Sequence, residues 1–119
     1  MKNRTDQQGM RQGPWESFYF DGTLYTKGSY LDGERHGPWE YFHSYGWLWQ
    51  KGSYVHDKRQ GPWEYFHPNG ALSGKGSFLD DKQHGPWEYF WSNGKLKTRG
   101  SYQNGRKKGF WEEYEEEKA

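Results

Sequence analysis

Residues 61–84 read GPWEYFHPNGALSGKGSFLDDKQH, and this 24-residue pattern recurs along the chain. The string Gly-Pro-Trp-Glu begins at Gly13, Gly37, Gly61 and Gly85, and a variant, Gly-Phe-Trp-Glu, begins at Gly109. A fixed period of this length is typical of repeat proteins, in which each unit packs only against its neighbours. Four complete units therefore cover residues 13–36, 37–60, 61–84 and 85–108.

The two ends of the chain depart from the pattern. Residues 1–12 are expected to form a partial repeat that caps the array, with 5–12 as the closing half of an earlier unit. Residues 109–119 are expected to open a fifth unit and to end in an acidic tail. Atypical terminal units are a common feature of repeat arrays.

Each unit contains two turn signals separated by runs that suit strands and are too short for helices. Asn-Gly and Asp-Gly pairs favour the positive φ angles of two-residue type I′ hairpin turns. The first signal falls at residues 21–22, 45–46, 69–70 and 93–94, and the second at 32–33, 56–57, 80–81 and 104–105. The pattern predicts strand, tight turn, strand, tight turn, with about ten strands in all.

A two-residue turn at 21–22 would pair Glu16 with Lys27 and Phe18 with Tyr25. The same register places opposite charges across the strands in every complete unit, which stabilises a sheet by about 0.2–1 kcal/mol per pair. It also sets Trp15 opposite Gly28, where the absent side chain leaves room for its indole. The later charge pairs are Glu40–Lys51, Glu64–Lys75 and Glu88–Arg99. Trp39, Trp63 and Trp87 are likewise expected opposite the glycines of their own units, Gly52, Gly76 and Gly100.

Alternation along the strands defines two faces of the predicted sheet. Face two carries the Glu–Lys pairs, the serine of each Lys/Arg-Gly-Ser, and Phe18, Phe42, Phe66 and Phe90. We expect the aromatic face one to be the more buried surface. In the first unit, face one carries Trp15, Ser17, Tyr19, Leu24, Thr26, Gly28 and Tyr30.

These units resemble MORN repeats, in particular the shorter variant found in the YwqK-type antitoxin family. The residues that carry the resemblance in the third unit are Gly61, Trp63, Tyr65, Phe66, Asn69, Gly70, Leu72, Gly76 and Phe78, whereas Asp81 departs from the pattern. The resemblance covers about residues 5–119 and implies an all-β fold, a single-layer, elongated and twisted antiparallel sheet of tandem hairpins. It also implies a scaffold, because MORN repeats occur in proteins that bind lipids, protein partners and junctional membranes.

Composition restricts the classes of function. Apolar residues make up 30% of the chain and aromatic residues 21%, so the buried surface must come from Trp, Tyr and Phe. The 17 basic and 16 acidic residues are interspersed without a basic cluster, which disfavours bulk nucleic-acid binding and weakens the case for membrane lipid. The chain has no cysteine and no long apolar segment, and a cytoplasmic location is expected.

The sequence carries no recognisable catalytic motif, and no cofactor is expected. Equivalent histidines in adjacent units, such as His43 and His67, would lie about 10 Å apart, which is too far for shared metal ligation. The repeated glutamates each face a Lys or Arg and are explained by the cross-strand pairs. We therefore predict that the protein is not an enzyme and holds no metal.

Candidate binding residues are found where the units differ, because shared residues serve the fold. A variable row at the first turns is predicted on face one, and a second, basic row is predicted at the opposite edge. Aromatic and cationic side chains suit anchoring of a protein partner, or stacking of a base beside a phosphate. An alternative is that the extra tryptophans only extend a thin apolar layer. The candidates are Tyr19, His43, Tyr45, Trp47, Trp49, His67 and Trp91, with Arg35, Arg59 and Lys107 in the basic row (Gln83 takes the place of a cation in unit three).

The sequence therefore predicts a non-catalytic scaffold that binds a protein partner through its aromatic and basic face, as an antitoxin, immunity protein or inhibitor does. One alternative is a sponge that sequesters a nucleotide-like small molecule. A second is a peripheral module that binds phosphoinositide membranes. Edge strands and the aromatic face also allow self-association.

Overall fold

The computed structural model describes residues 2–116, so the last residues of the predicted acidic tail, 117–119, lie outside the described part of the chain, as does residue 1. Eleven antiparallel strands form one open sheet that measures 54 × 33 × 17 Å, and the described part contains no helix. Strands follow each other in chain order across the sheet, except that β4 pairs only with β3. The strands are β1 (Arg4–Thr5), β2 (Arg11–Phe18), β3 (Leu24–Leu31), β4 (Glu34–Arg35), β5 (Gly37–Phe42), β6 (Leu48–Val55), β7 (Lys58–Phe66), β8 (Leu72–Leu79), β9 (Lys82–Phe90), β10 (Leu96–Gln103) and β11 (Arg106–Glu113). The predicted all-β fold class is confirmed.

The second turn of each unit has the predicted type. In the first unit Leu31 pairs with Glu34, and the two residues between them have positive φ angles, 51° at Asp32 and 80° at Gly33. These values are those of a type I′ turn. The same positions in the other three units also have positive φ.

The type predicted for the first turn is wrong. The Tyr19 carbonyl accepts a hydrogen bond from Gly22 N–H, and Tyr19 N–H donates to the Thr23 carbonyl, which closes a three-residue loop. Only Gly22 within that loop has a positive φ, 92°. A type I turn followed by a left-handed residue is the common way to close such a loop, and glycine adopts that conformation without steric cost.

An additional residue in the closing strand restores the register that the longer loop would shift. Phe18 pairs with Leu24, but Ser17 pairs with Thr26, so Tyr25 is a bulge residue. The predicted Glu16–Lys27 pair and its equivalents are therefore confirmed. The predicted Phe18–Tyr25 pair is wrong.

The bulge also corrects the assignment of two side chains to faces. Leu24 pairs with Phe18 and thus joins face two. Tyr25 lies on face one, where its ring is 4.7 Å from that of Tyr19 and 6.3 Å from that of Tyr41.

A second irregularity joins each unit to the one before it. Lys51 pairs with Glu64 and Ser53 with Gln60, so three residues of β7 stand opposite Gly52 alone. Gly61, in this bulge, has a φ of 75°, which favours glycine. The bulge also accommodates Pro62, since a proline has no N–H to give to a regular ladder.

The glycine of each Lys/Arg-Gly-Ser leaves room for a tryptophan indole. That tryptophan belongs to the following unit and not to the glycine's own unit. A Cβ built on Gly52 would lie 2.1 Å from Cδ2 of Trp63, and the Trp63 indole N–H donates to the Ser53 carbonyl over 3.1 Å. The prediction that each tryptophan uses the glycine of its own hairpin is therefore wrong, although Trp15 does stand opposite Gly28 in the register. The same inter-unit contact recurs at Gly28–Trp39, Gly76–Trp87 and Gly100–Trp111.

Face one is the buried face, as expected. Nine rings alternate along it, each edge-on to the next, with centroids 5.0–6.0 Å apart and interplanar angles of 76–87°. Edge-to-face packing of this kind is favourable beyond the area it buries. Trp63 and Trp87 are only 1% exposed. The row consists of Trp15, Tyr30, Trp39, Tyr54, Trp63, Phe78, Trp87, Tyr102 and Trp111.

The N-terminal segment covers the first edge of the sheet. The Asn3 side chain accepts a hydrogen bond from the Glu16 N–H and donates one to the Glu16 carbonyl. Lys2 lies 2.7 Å from the Glu16 carboxylate, in the role that lysines of preceding strands have elsewhere. These contacts satisfy edge groups of β2 that would otherwise be open to pairing with another chain.

Candidate interaction surface at the hairpin tips

Aromatic side chains cluster on face one at the first-turn edge of units one and two. We call this surface the tip patch. Its rings are partly exposed. In unit three, Ala71 and Ser73 take the positions that Trp47 and Trp49 have in unit two. The patch consists of Tyr19, Tyr25, His43, Tyr45, Trp47 and Trp49.

Unit two provides the centre of the patch. The His43 ring stacks against Trp47 at 4.8 Å and against Tyr45 at 5.3 Å. The backbone N–H of Tyr45 donates to Nδ1 of His43 over 3.2 Å. Tyr45 is 88% exposed, and Trp49, at the bulge position, is 41% exposed. The structure thus brings together His43, Tyr45 and Trp47, and it places Trp49 at the bulge of the same hairpin.

The tip of unit two lacks a hydrogen bond that the other three tips make. Asp21 Oδ1 accepts the N–H of Thr23, and Asn69 and Asn93 accept in the same way from the residue two positions later. Side chains of Asp and Asn stabilise turns through this contact. Tyr45 stands at the equivalent position and cannot make it.

The variable row at the first turns has a structural role in two units. The Tyr19 hydroxyl donates to the Phe42 carbonyl over 2.6 Å, and His67 Nε2 is 2.8 Å from the Phe90 carbonyl. These bonds tie the tips of units one and three to the tips that follow them. In the other two units, His43 instead stacks on Trp47, and the buried indole N–H of Trp91 has no hydrogen-bond partner within residues 2–116, with Lys97 4.7 Å above its ring.

The basic row covers the aromatic core. The Arg35 guanidinium lies 4.1 Å above the Tyr54 ring, hydrogen-bonds to the Tyr54 hydroxyl and forms an ion pair with Asp57. Arg59 lies 4.1 Å above Phe78 and pairs with Asp81 at 2.5 Å. Lys107 lies 4.7 Å above Trp111. Tyr41 contacts both Arg35 and Tyr25 and so stands between the basic row and the tip patch.

Ionisation in this row reflects those contacts. Partial burial acts to raise the pKa of Asp81, but hydrogen bonds from the Arg59 guanidinium and backbone outweigh it and hold the pKa below its usual range. Burial, followed by the hydrogen bond with Tyr41, raises the pKa of Tyr54. Arg35 and Arg59 therefore already have anionic partners and stacked rings.

Two features were missed in the sequence analysis. Tyr25 belongs to the tip patch because of the bulge, and Phe20 is fully exposed at the first loop, where the other units have Ser44, Pro68 and Ser92. The sequence signal for Phe20 was an aromatic residue at a loop position where the other units have serine or proline. In addition, Lys82 and the three consecutive cations at residues 106–108 line an open depression of about 510 Å³ at the second-turn edge, so the expectation of no basic cluster is wrong. The depression is lined by Lys82, Gln103, Asn104, Arg106, Lys107 and Lys108.

Within residues 2–116, no three His, Asp or Glu side chains come together as a possible metal site. His56 and Glu34 approach each other at 3.3 Å, beside Asp32 and His36 in the lining of a small pocket. The same part of the chain contains no helix that is long and apolar enough to span a bilayer.

The repeat geometry agrees with the comparison with known families. The model of the MORN repeat variant matches four tandem segments, residues 11–32, 35–56, 59–80 and 83–104. The chain belongs to this family. MORN repeats serve in general as modules that interact with proteins or with membranes. No curated protein matches the chain.

Proposed function

We propose that this chain is a non-catalytic module that binds a protein partner through the tip patch. The observation that supports the proposal is the exchange at the tip of unit two. There, an exposed Tyr45 replaces the Asp or Asn that caps each of the other three tips. A side chain–backbone hydrogen bond contributes about 0.5–1.5 kcal/mol, so the exchange costs stability. A departure from the local rules of a fold is expected at functional sites.

The composition of the patch fits an anchor for a protein. Tyrosine and tryptophan dominate the hot spots of protein interfaces, because they bury large areas with few rotatable bonds. Trp49 and Tyr45 are exposed next to Trp47, whereas the tips of units three and four carry Pro68, Asn69, Ser92 and Asn93. The partner would then be occupied by a rigid sheet, as in an antitoxin, immunity protein or inhibitor.

The test is capture of the partner by the immobilised protein, followed by intact-complex mass measurement. Trp47→Ala with Trp49→Ser gives unit two the residues that unit three has at these two positions, Ala71 and Ser73, and should fold normally while losing the partner. The matched control is Lys95→Ala with Lys97→Ser, at the same positions of unit four, which should retain it. Retention by the tryptophan double variant would contradict the proposal. Recovery of a small molecule, together with a saturable tryptophan fluorescence change on nucleotide titration, would favour sequestration instead.

A second candidate is binding to anionic membrane surfaces, which the cluster of Lys82 and residues 106–108 favours. Basic side chains near a membrane contribute about 1 kcal/mol each. Co-sedimentation with phosphatidylcholine vesicles, with and without phosphatidylinositol bisphosphate, tests it. Lys107→Glu with Lys108→Glu should abolish lipid-dependent sedimentation, and equal sedimentation of the variant would reject this candidate.

A further inference from the structure

A groove runs along face two, opposite the tip patch. Its larger part is about 540 Å³ and crosses units one to three, and a smaller continuation of about 330 Å³ reaches Pro86 and Glu88 in unit four. The lining includes Gly28 and Gly52, together with Trp15 and Trp39 of the row on face one. Because every unit contributes the same positions, the groove is itself periodic.

The two walls of the groove differ in chemistry. Proline and serine alternate along one wall, since Pro14 pairs with Ser29 and Pro38 with Ser53. Glutamate and lysine alternate along the other, in the confirmed Glu–Lys register. The lysine ammoniums are loosely paired: Lys51 and Lys75 each lie 3.8 Å from the carboxylate of the next strand and are about half exposed. The prolines Pro14, Pro38, Pro62 and Pro86 are all exposed.

We propose that this groove binds a proline-rich peptide in the polyproline II conformation, lying across the strands. The first argument is the spacing. Equivalent positions recur every two strands, or about 9.6 Å. A polyproline II helix advances about 9.3 Å per three-residue turn, so residues i, i+3 and i+6 meet equivalent positions in successive units. A peptide in the β conformation repeats its side-chain direction every 6.6–6.8 Å, about two residues, and does not match the units.

The second argument is complementarity of charge and of hydrogen bonding. Each unit contributes one Glu and one Lys or Arg to the groove wall, so the wall is neutral and suits an uncharged ligand. A polyproline II backbone makes no internal hydrogen bonds and leaves its carbonyls free. An ammonium group has three donors, and a loosely paired lysine retains some of them for such carbonyls. The exposed proline rings of the other wall supply apolar contact for ligand rings.

The probe is fluorescein-labelled dodecaproline, which is long enough, at about 3.1 Å per residue, to cover all four units. Anisotropy should rise saturably with the full-length protein. Affinity should increase from six to nine to twelve prolines, as each three-residue turn reaches another unit. A Gly-Ser peptide of twelve residues serves as the control and should not bind.

Matched variants locate the site. Ser53→Arg places a large side chain in the larger part of the groove and should weaken binding at least tenfold. Ser101→Arg is the same substitution in unit four, where Ser101 pairs with Pro86 at the end of the groove. It should change the affinity for nonaproline, which needs only units one to three, less than twofold. Circular dichroism checks that both fold. Pro38→Ala with Pro62→Ala, a milder change, should weaken binding severalfold even if Ser53→Arg is unstable.

Three results would overturn the proposal. Binding of the Gly-Ser peptide as tight as that of dodecaproline would remove the conformational argument. Unchanged affinity in both the Ser53→Arg and the Pro38→Ala/Pro62→Ala proteins would place the peptide elsewhere. Sedimentation of the protein as a dimer that Ser53→Arg dissociates would show that a second copy covers the groove. Trp47→Ala with Trp49→Ser should leave dodecaproline binding intact, which separates this site from the tip patch.

Discussion

At the level of single residues, the contact between a glycine of one unit and the indole of the next holds the array together. Gly52→Ala would place a methyl group 2.1 Å from Trp63 and should destabilise the protein by about 1–3 kcal/mol through overpacking. Urea unfolding followed by circular dichroism measures this loss. In a Trp63→Ala background the same methyl meets no indole, so its cost should largely disappear. Additive losses in the double variant would contradict the contact.

The stability of the protein at alkaline pH tests the role of Tyr54, which lies near the middle of the row of nine rings. Burial and the hydrogen bond with Tyr41 raise the pKa of Tyr54 in the folded protein, so its neutral form is favoured by folding. That stabilisation is complete below the unfolded pKa of about 10 and decreases as the pH rises above it toward the folded pKa. Tyr54→Phe, which copies Phe78 of the next unit, should reduce the fall in thermal midpoint between pH 10 and 12. An unchanged slope would mean that other groups control alkaline unfolding.

At the level of elements, the hairpin tips vary independently of the strands that they join. Tyr45→Asn should restore the capping hydrogen bond of the other tips and raise the free energy of unfolding by about 0.5–1.5 kcal/mol. If the tip patch binds the partner, the same change should weaken binding. The reverse exchange, Asn69→Tyr, removes a cap and also the hydrogen bond that the Asn69 amide donates to the Ser92 carbonyl, so it should lower stability by more than this. Thermal unfolding measures both, and a destabilised Tyr45→Asn protein would argue against the role of the cap.

At the level of the whole molecule, stability should vary with position along the array, because each unit touches only its neighbours. Trp63 is fully buried, edge-on to both Tyr54 and Phe78, whereas Trp111 is partly exposed and has one edge-on neighbour, Tyr102. Trp63→Ala should cost on the order of 3–5 kcal/mol, and Trp111→Ala much less. Hydrogen exchange should likewise be slowest in β6, β7 and β8. Equal losses for the two variants would indicate a single closed core.

Much of the fold was predictable because it depends on spacing within one unit. The 24-residue period, the strands, the type I′ turns and the Glu16–Lys27 register follow from residues that are close in the chain. The aromatic face could also be assigned as the buried one, because alternation puts Trp15 and Tyr30 on the same side. The tip candidates of unit two were found because they break the repeat.

The tertiary structure decided what depends on contacts between units. The bulge at Tyr25 moves that ring to face one and Leu24 to face two, and Trp63 fills the space above a glycine of the preceding hairpin. Arg35, a candidate for the surface, instead packs over Tyr54 and pairs with Asp57 of the next unit. A ring could contact its own hairpin or the next unit, and the periodic sequence is compatible with both. Spacing determines which positions are equivalent, but it does not determine which of them are in contact. Bulges change strand direction locally, and only the packed sheet determines which ring, charge or glycine then lies opposite.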